Sequence, residues 1–156
     1  MKKLLLLIAC AALIGCTTQY KGVTNTANTV QFLRTQEDGT MAVRVAAVGR
    51  NYVDALMHAE RYALKQLLFY GIPVPGDSYL SRPLITEANA QEKYESFFYD
   101  FFQDHGEFTN FTNSMDKRPA SNKVSRDRES VRVVTTLRLK RAELKEYLVE
   151  NNIIKR

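Results

Sequence analysis

The chain has 156 residues with a formal net charge of +5; 45% are hydrophobic, 25% charged, and it holds two cysteines and two histidines. The length suits one domain with a real core. The excess of positive charge is too mild for the basic footprint of a nucleic-acid binder.

The first segment reads MKKLLLLIACAALIGC. Lys2 and Lys3 precede an apolar run over 4–14 that ends in small residues and a cysteine. This is the pattern of a secretory signal peptide, too short to cross a hydrocarbon core of ~30 Å as a stable helix. Leu13-Ile14-Gly15-Cys16 resembles the lipobox of bacterial lipoproteins. There a cysteine thiol takes up diacylglycerol and becomes the new N-terminus, and small preceding side chains admit the peptidase. Leu7-Ile8-Ala9-Cys10 fits the same pattern behind a shorter apolar run, so Cys16 is the expected lipidation site and Cys10 the alternative.

Cleavage before Cys16 would leave one cysteine, occupied by lipid, and no disulfide within the chain. It would also remove Lys2 and Lys3, taking Lys+Arg from 22 to 20 against 17 Asp+Glu, a net +3. Two or three acyl chains hold a protein firmly at a membrane, where one does not. By the same resemblance, Thr17 in place of an aspartate favours the outer membrane, with the domain facing the periplasm. Residues 17–29 (TTQYKGVTNTANT) are polar and aperiodic. They read as a tether of roughly 20 Å root-mean-square span. The expected organisation is a signal peptide over 1–15, a tether over 16–29 and one domain over 30–156.

In the domain, β-rich runs over 30–34 and 41–48 flank Glu37-Asp38-Gly39-Thr40, a hairpin signal. Val43, Val45 and Ala47 alternate with Ala42, Arg44 and Ala46, predicting one buried face and one partly wet face. Asn51 is placed to cap a helix over 52–70, whose apolar positions are 53, 56, 57, 63, 64, 67 and 68. Ala55, Ala59 and Ala63 add a small-residue ridge suited to close approach to a sheet, and Gly71 and Pro73 end the helix. Three prolines and a glycine within 72–85 predict a long surface loop.

A second helix is predicted over 87–103. Tyr94, Phe97, Phe98, Phe101 and Phe102 fall on one stripe, with Tyr99 off it. Together they carry on the order of 1,000 Å² of apolar area, more than an ordinary monomer exposes. A membrane-surface helix would show Lys and Arg on its polar face, whereas this one carries Glu92, Glu95 and Asp100. The stripe is therefore expected to be core. Residues 108–112 read as a short strand, and 131–139 as the cleanest strand in the chain. A final helix over 141–150 faces inward with Leu144, Tyr147 and Leu148, and Ile153-Ile154 tuck behind it. The order predicts an α+β fold: a two-layer sandwich with an antiparallel sheet of about four strands and about three helices on one face.

The run Val45-Ala46-Ala47-Val48-Gly49, the helix with Ala55, Ala59 and Ala63, and the closing VRVVTTLRLKRAELKEYL carry a second likeness. Over roughly 40–150 the chain resembles the small-lipoprotein superfamily that includes the N-terminal domain of flagellar assembly protein T. The resemblance implies an envelope scaffold or complex part, not a catalyst.

Site chemistry is sparse. His58 lies one turn after Asp54, and His105 lies at a helix end. Glu92, Glu95 and Asp100 could pair as in glycoside hydrolysis, yet sit on a helix with no sign of a sugar cleft. No phosphate loop, GxSxG or HExxH is present, so no enzyme and no cofactor are expected. The segment 114–127 (SMDKRPASNKVSRD) opens a basic stretch: Lys117, Arg118, Lys123, Arg126 and Arg128, next to Arg132 and Arg138. Arginine forks suit phosphates and carboxylates, so these residues are the candidate contact for an envelope protein or an anionic envelope polymer. The two functional expectations are a lipid-anchored scaffold or docking module, and a carrier for a lipid or other apolar ligand in a pocket lined by the aromatic helix.

Overall fold

The computed structural model describes residues 28–116, 124–126 and 130–155. Strands β1 (Thr29–Thr35) and β2 (Met41–Gly49) form the expected antiparallel hairpin, which turns at Gly39 with φ +76°. Asp38 secures the turn by accepting from Thr40 N at 3.0 Å and Thr40 Oγ1 at 2.6 Å. These bonds, the hydroxyl first, hold its carboxyl below the usual aspartate value. Leu33 is the extra residue where the β1 register shifts between Phe32 and Arg34.

Helix α1 (Tyr52–Lys65) follows, with Asn51 Oδ1 accepting from Asp54 N at 2.9 Å as its N-cap. Its ridge of Ala55, Ala59 and Ala63 is wholly buried on the sheet. The helix also carries a correction: Val53, read as part of the apolar stripe, is 68% exposed. The rest of that stripe holds: Leu64, Leu67 and Leu68 are fully buried, Leu56 and Met57 pack against the core, and the alanine ridge meets the sheet. A β-carbon on Gly49 would stand 2.4 Å from Ala55 N, so the strand end and the first helical turn meet backbone to backbone.

The helix widens to a π-turn over Gln66–Tyr70, with Gly71 N donating to Gln66 O at 2.7 Å. The carbonyls of Leu67 and Leu68 then accept from Leu84 N and Ile85 N at 3.1 and 2.9 Å. The 72–85 segment thus returns to the helix end and is not a purely surface loop. Ile72, Val74 and Ile85 are buried, and Ser81 Oγ bonds to Val74 N at 2.8 Å.

The second predicted helix forms as two pieces, α2 (Ala90–Lys93) and α3 (Glu95–Phe101), broken at Tyr94 (φ −114°, ψ 32°). The Tyr94 ring is held toward the N-terminal side, with its hydroxyl 3.3 Å from Glu87 Oε2 and Lys93 Nζ 4.9 Å from its centroid. Phe98 and Phe101 are buried, Tyr94, Phe97 and Phe102 pack against the same core, and Tyr99 is 72% exposed. The aromatic stripe is core, as its area predicts. Phe101 stacks on Phe97 and Phe111 at 5.9 Å, meets Phe102 edge-on at 4.9 Å and lies 5.9 Å from Tyr147.

Residues Glu107–Phe111 form a 3₁₀ helix where a strand was predicted. Phe108 and Phe111 are both buried. A strand would send them to opposite faces, whereas 3₁₀ geometry eclipses i and i+3 and puts both under the aromatic layer. Strands β3 (Thr112–Ser114) and β4 (Val124–Arg126) follow, then β5 (Val131–Leu139) and α4 (Arg141–Glu150).

The antiparallel sheet runs β1-β2-β5-β3, with β4 also on β5. Strands β3 and β4 share one edge of β5, at 137–139 and 131–133, so the sheet is four positions wide. Its inner row of Met41, Val43, Val45, Leu137 and Leu139 joins the helices in one core. Leu144, Leu148 and Ile153 close that core from α4 and the segment after it. This is the expected α+β fold.

Phe101→Ala is expected to cost about 3–5 kcal/mol in urea unfolding, while Tyr99→Ala stays within about 0.5 kcal/mol. Equal effects from the two would contradict the packing of α3.

Candidate functional site

Period-two alternation sends Ala42, Arg44 and Ala46 of β2, and Arg132, Val134, Thr136 and Arg138 of β5, to the sheet face away from the helical core. The register sets Arg34 and Arg138 on either side of Ala42, and Gln31 and Thr136 on either side of Arg44. Arg132 lies between Val48 and Ser125. Four arginines, Arg34, Arg44, Arg132 and Arg138, therefore share one sheet face.

Neither Ala42 nor Ala46 belongs to the helical core clusters, yet Ala42 is fully buried and Ala46 is 5% exposed. The second face of β2 is thus drier than its sequence suggests: Ala42 lies in register between Arg34 and Arg138, and Ala46 between Thr29 and Val134. Arg34 and Arg44 are exposed. Arg138 Nη1 lies 3.5 Å from Asp38 Oδ2. The Nε atoms of Arg132 and Arg138 are buried without a hydrogen-bond acceptor among the described residues. At the β3 edge, Asp116 Oδ2 accepts from Thr136 N at 2.8 Å and Thr135 Oγ1 at 3.2 Å.

Of the residues singled out from sequence, Arg132 and Arg138 lie on this face. Arg126 ends β4 opposite Val131. Lys117, Arg118, Lys123 and Arg128 lie outside the described residues, as does Cys16. Arg34 and Arg44 are additions to the set. Each stands alone in its strand, so only strand register reveals that they join Arg132 and Arg138.

The histidine and carboxylate candidates have local partners. Asp54 is buried and accepts from Arg50 N at 2.8 Å and Arg50 Nε at 3.1 Å. His58 Nε2 lies 3.6 Å from Asp54 Oδ1, and its Nδ1 donates to Val48 O at 2.8 Å, an acceptor that fixes the tautomer. The Arg50 side-chain bond, then its backbone N–H, then the neighbouring charges hold the Asp54 carboxyl at about 2, against the desolvation that opposes them. This network joins the end of β2 to the start of α1. His105 is exposed in a left-handed turn at φ +61°. Glu92, Glu95 and Asp100 are exposed on the outside of the aromatic layer. Among the described residues, no three His, Cys, Asp or Glu side chains are grouped to hold a metal ion.

Beside the aromatic layer is an open recess of about 510 Å³, lined by Phe69, Phe98 and Phe102 and rimmed by Arg61 and Lys65. Its rings are already engaged: Phe69 meets Phe98 edge-on at 5.0 Å, and Lys65 Nζ lies 5.2 Å from the Phe102 centroid. No described helix is long and apolar enough to cross a membrane.

No protein-family model, no curated protein and no solved structure gives a significant match to this chain.

Asp54 carries a pH signature. Its folded value of about 2 lies below the ordinary 3.8. Its contribution is complete above pH ~4 and is lost as pH falls through about 2. Acid titration of thermal stability should show this loss between pH ~4 and ~2, and Asp54→Asn should remove that component while lowering stability near neutrality.

Proposed function

We propose that the protein is a non-catalytic, lipid-anchored component of the bacterial cell envelope that docks a partner through the arginine-bearing face of its sheet. The observation that carries this reading is the gathering of Arg34, Arg44, Arg132 and Arg138 on one face outside the helical core. Planar guanidinium forks at these positions suit carboxylates and phosphates, which an acidic envelope protein or an anionic envelope polymer offers. The lipobox ending at Cys16 supplies the anchor, and the polar segment 17–28 leads into β1 at Thr29. Thr17 after the cysteine supports an outer-membrane anchor with the domain facing the periplasm. The likeness to the small-lipoprotein superfamily agrees with a scaffold role, and the α+β architecture is compatible with it.

The second reading, a carrier for an apolar ligand, draws on the recess beside Phe69, Phe98 and Phe102. It has weaker support, because those rings contact one another and leave an open depression instead of an enclosed cavity.

The test is mild crosslinking of the full-length protein in its native envelope, followed by mass spectrometry of what is recovered. Arg34→Glu with Arg44→Glu, both at exposed positions, should leave the melting temperature within ~2 °C. The pair should remove a reproducible neighbour, and wild-type capture should weaken as salt rises. A neighbour retained by the double variant would move the docking surface elsewhere. A stoichiometric lipid recovered without any protein or polymer would favour the carrier reading.

A further inference from the structure

A recess of about 660 Å³ runs along α4, between it, the β1–β2 turn and the 72–85 segment. Arg141, Lys145, Tyr79, Leu80 and Val149 line it. Arg141 is 8% exposed and forms no ion pair among the described residues, in contrast to Arg50, Arg61 and Arg138. One guanidinium nitrogen, Nη2, donates to Arg82 O at 3.3 Å, and the group lies 5.3 Å from the Tyr79 ring centroid. Nε is buried with no acceptor among the described residues. A buried cation served by one carbonyl and one ring face has lost most of its hydration without gaining a counter-charge.

We propose that this recess is a binding site for a phosphate-bearing amphiphile, with Arg141 receiving the phosphate. Lys145 lies one helical turn from Arg141 on the same face and is exposed at the rim. Two cations a turn apart match the charge and the several oxygens of a phosphate, whereas a lone arginine fork already satisfies a carboxylate. Tyr79, Leu80 and Val149 give the remainder of the ligand an apolar bed, and the recess is within the usual size of small-ligand sites. Glu146, beside Lys145 in the chain, also lines the recess, and Glu150 lines its far end, roughly 13 Å along the helix axis from Arg141. Glu150 disfavours a second anion at that end and suits an amine there. The site shares no residue with the arginine face of the sheet and stands independently of the docking role.

The source of the phosphate is either a lipid headgroup or free phosphate, and titration calorimetry on the full-length protein in amphipol separates them. The probes are inorganic phosphate, dihexanoyl phosphatidic acid below its micellar concentration, and dihexanoylglycerol as the phosphate-free control. Saturable binding of the phosphatidic acid, with no binding of the glycerol, is expected. Lys145→Ala should weaken it about tenfold at unchanged melting temperature, and Arg141→Lys, which keeps the charge but loses the fork, at least as much. Tighter binding of the phosphatidic acid than of inorganic phosphate assigns a lipid headgroup. Equal affinities assign free phosphate and overturn the apolar half of the proposal. Absence of saturable binding by both phosphates overturns the site. So does binding that Lys145→Ala and Arg141→Lys leave unchanged.

Discussion

At Gly49 a β-carbon would stand 2.4 Å from the backbone nitrogen of Ala55, and much of the fold is arranged around that closeness. Ala55, Ala59 and Ala63 carry the contact along α1, so helix and sheet are separated by methyl groups instead of branched side chains. The residues then grow in size: Leu64, Leu67 and Leu68 follow at the C-terminal end and join the cluster that holds Phe98 and Phe101. Small residues bring one end of the helix down onto the sheet. The aromatic layer fills the volume at the other end. Dense packing requires both halves, because a void has no partner atoms on one side.

Two aspartates close the two ends of β2. Asp38 accepts from Thr40 where the strand begins, and Asp54 accepts from Arg50 N where it gives way to α1. Each also holds an arginine, Arg138 at one end and Arg50 at the other. The strand with the driest environment in the sheet therefore has a charge-assisted bond at each chain reversal, and these bonds fix where pairing starts and stops.

Elements with a strong period were legible in the sequence. The hairpin at Gly39, the Asn51 cap, the alanine ridge, the alternation of 131–139 and the inward face of α4 all follow from local patterns. What escaped depended on distant partners. The 108–112 segment looks like a strand because its phenylalanines suit one, but their spacing of three puts both beneath Phe101 and Phe102 only as a 3₁₀ turn. The arginine face was half visible: Arg132 and Arg138 alternate along one strand, whereas adding Arg34 and Arg44 requires the pairing of three strands and the shift after Phe32. The Arg141 recess left no local signal, since its walls come from the hairpin turn, the 72–85 segment and α4.

The π-turn at the end of α1 gives the 72–85 segment a standing that its prolines conceal. Leu67 and Leu68 leave their carbonyls to Leu84 and Ile85, and a β-carbon at Gly71 would meet Ser81 O at 2.2 Å. Exposed loop tips ordinarily absorb insertions with little consequence. Here the chain must return after a fixed number of residues to finish the hydrogen bonding of a helix it has already left. Its length is thereby under the same constraint as a strand register, and a related sequence should vary in this segment by substitution far more freely than by insertion.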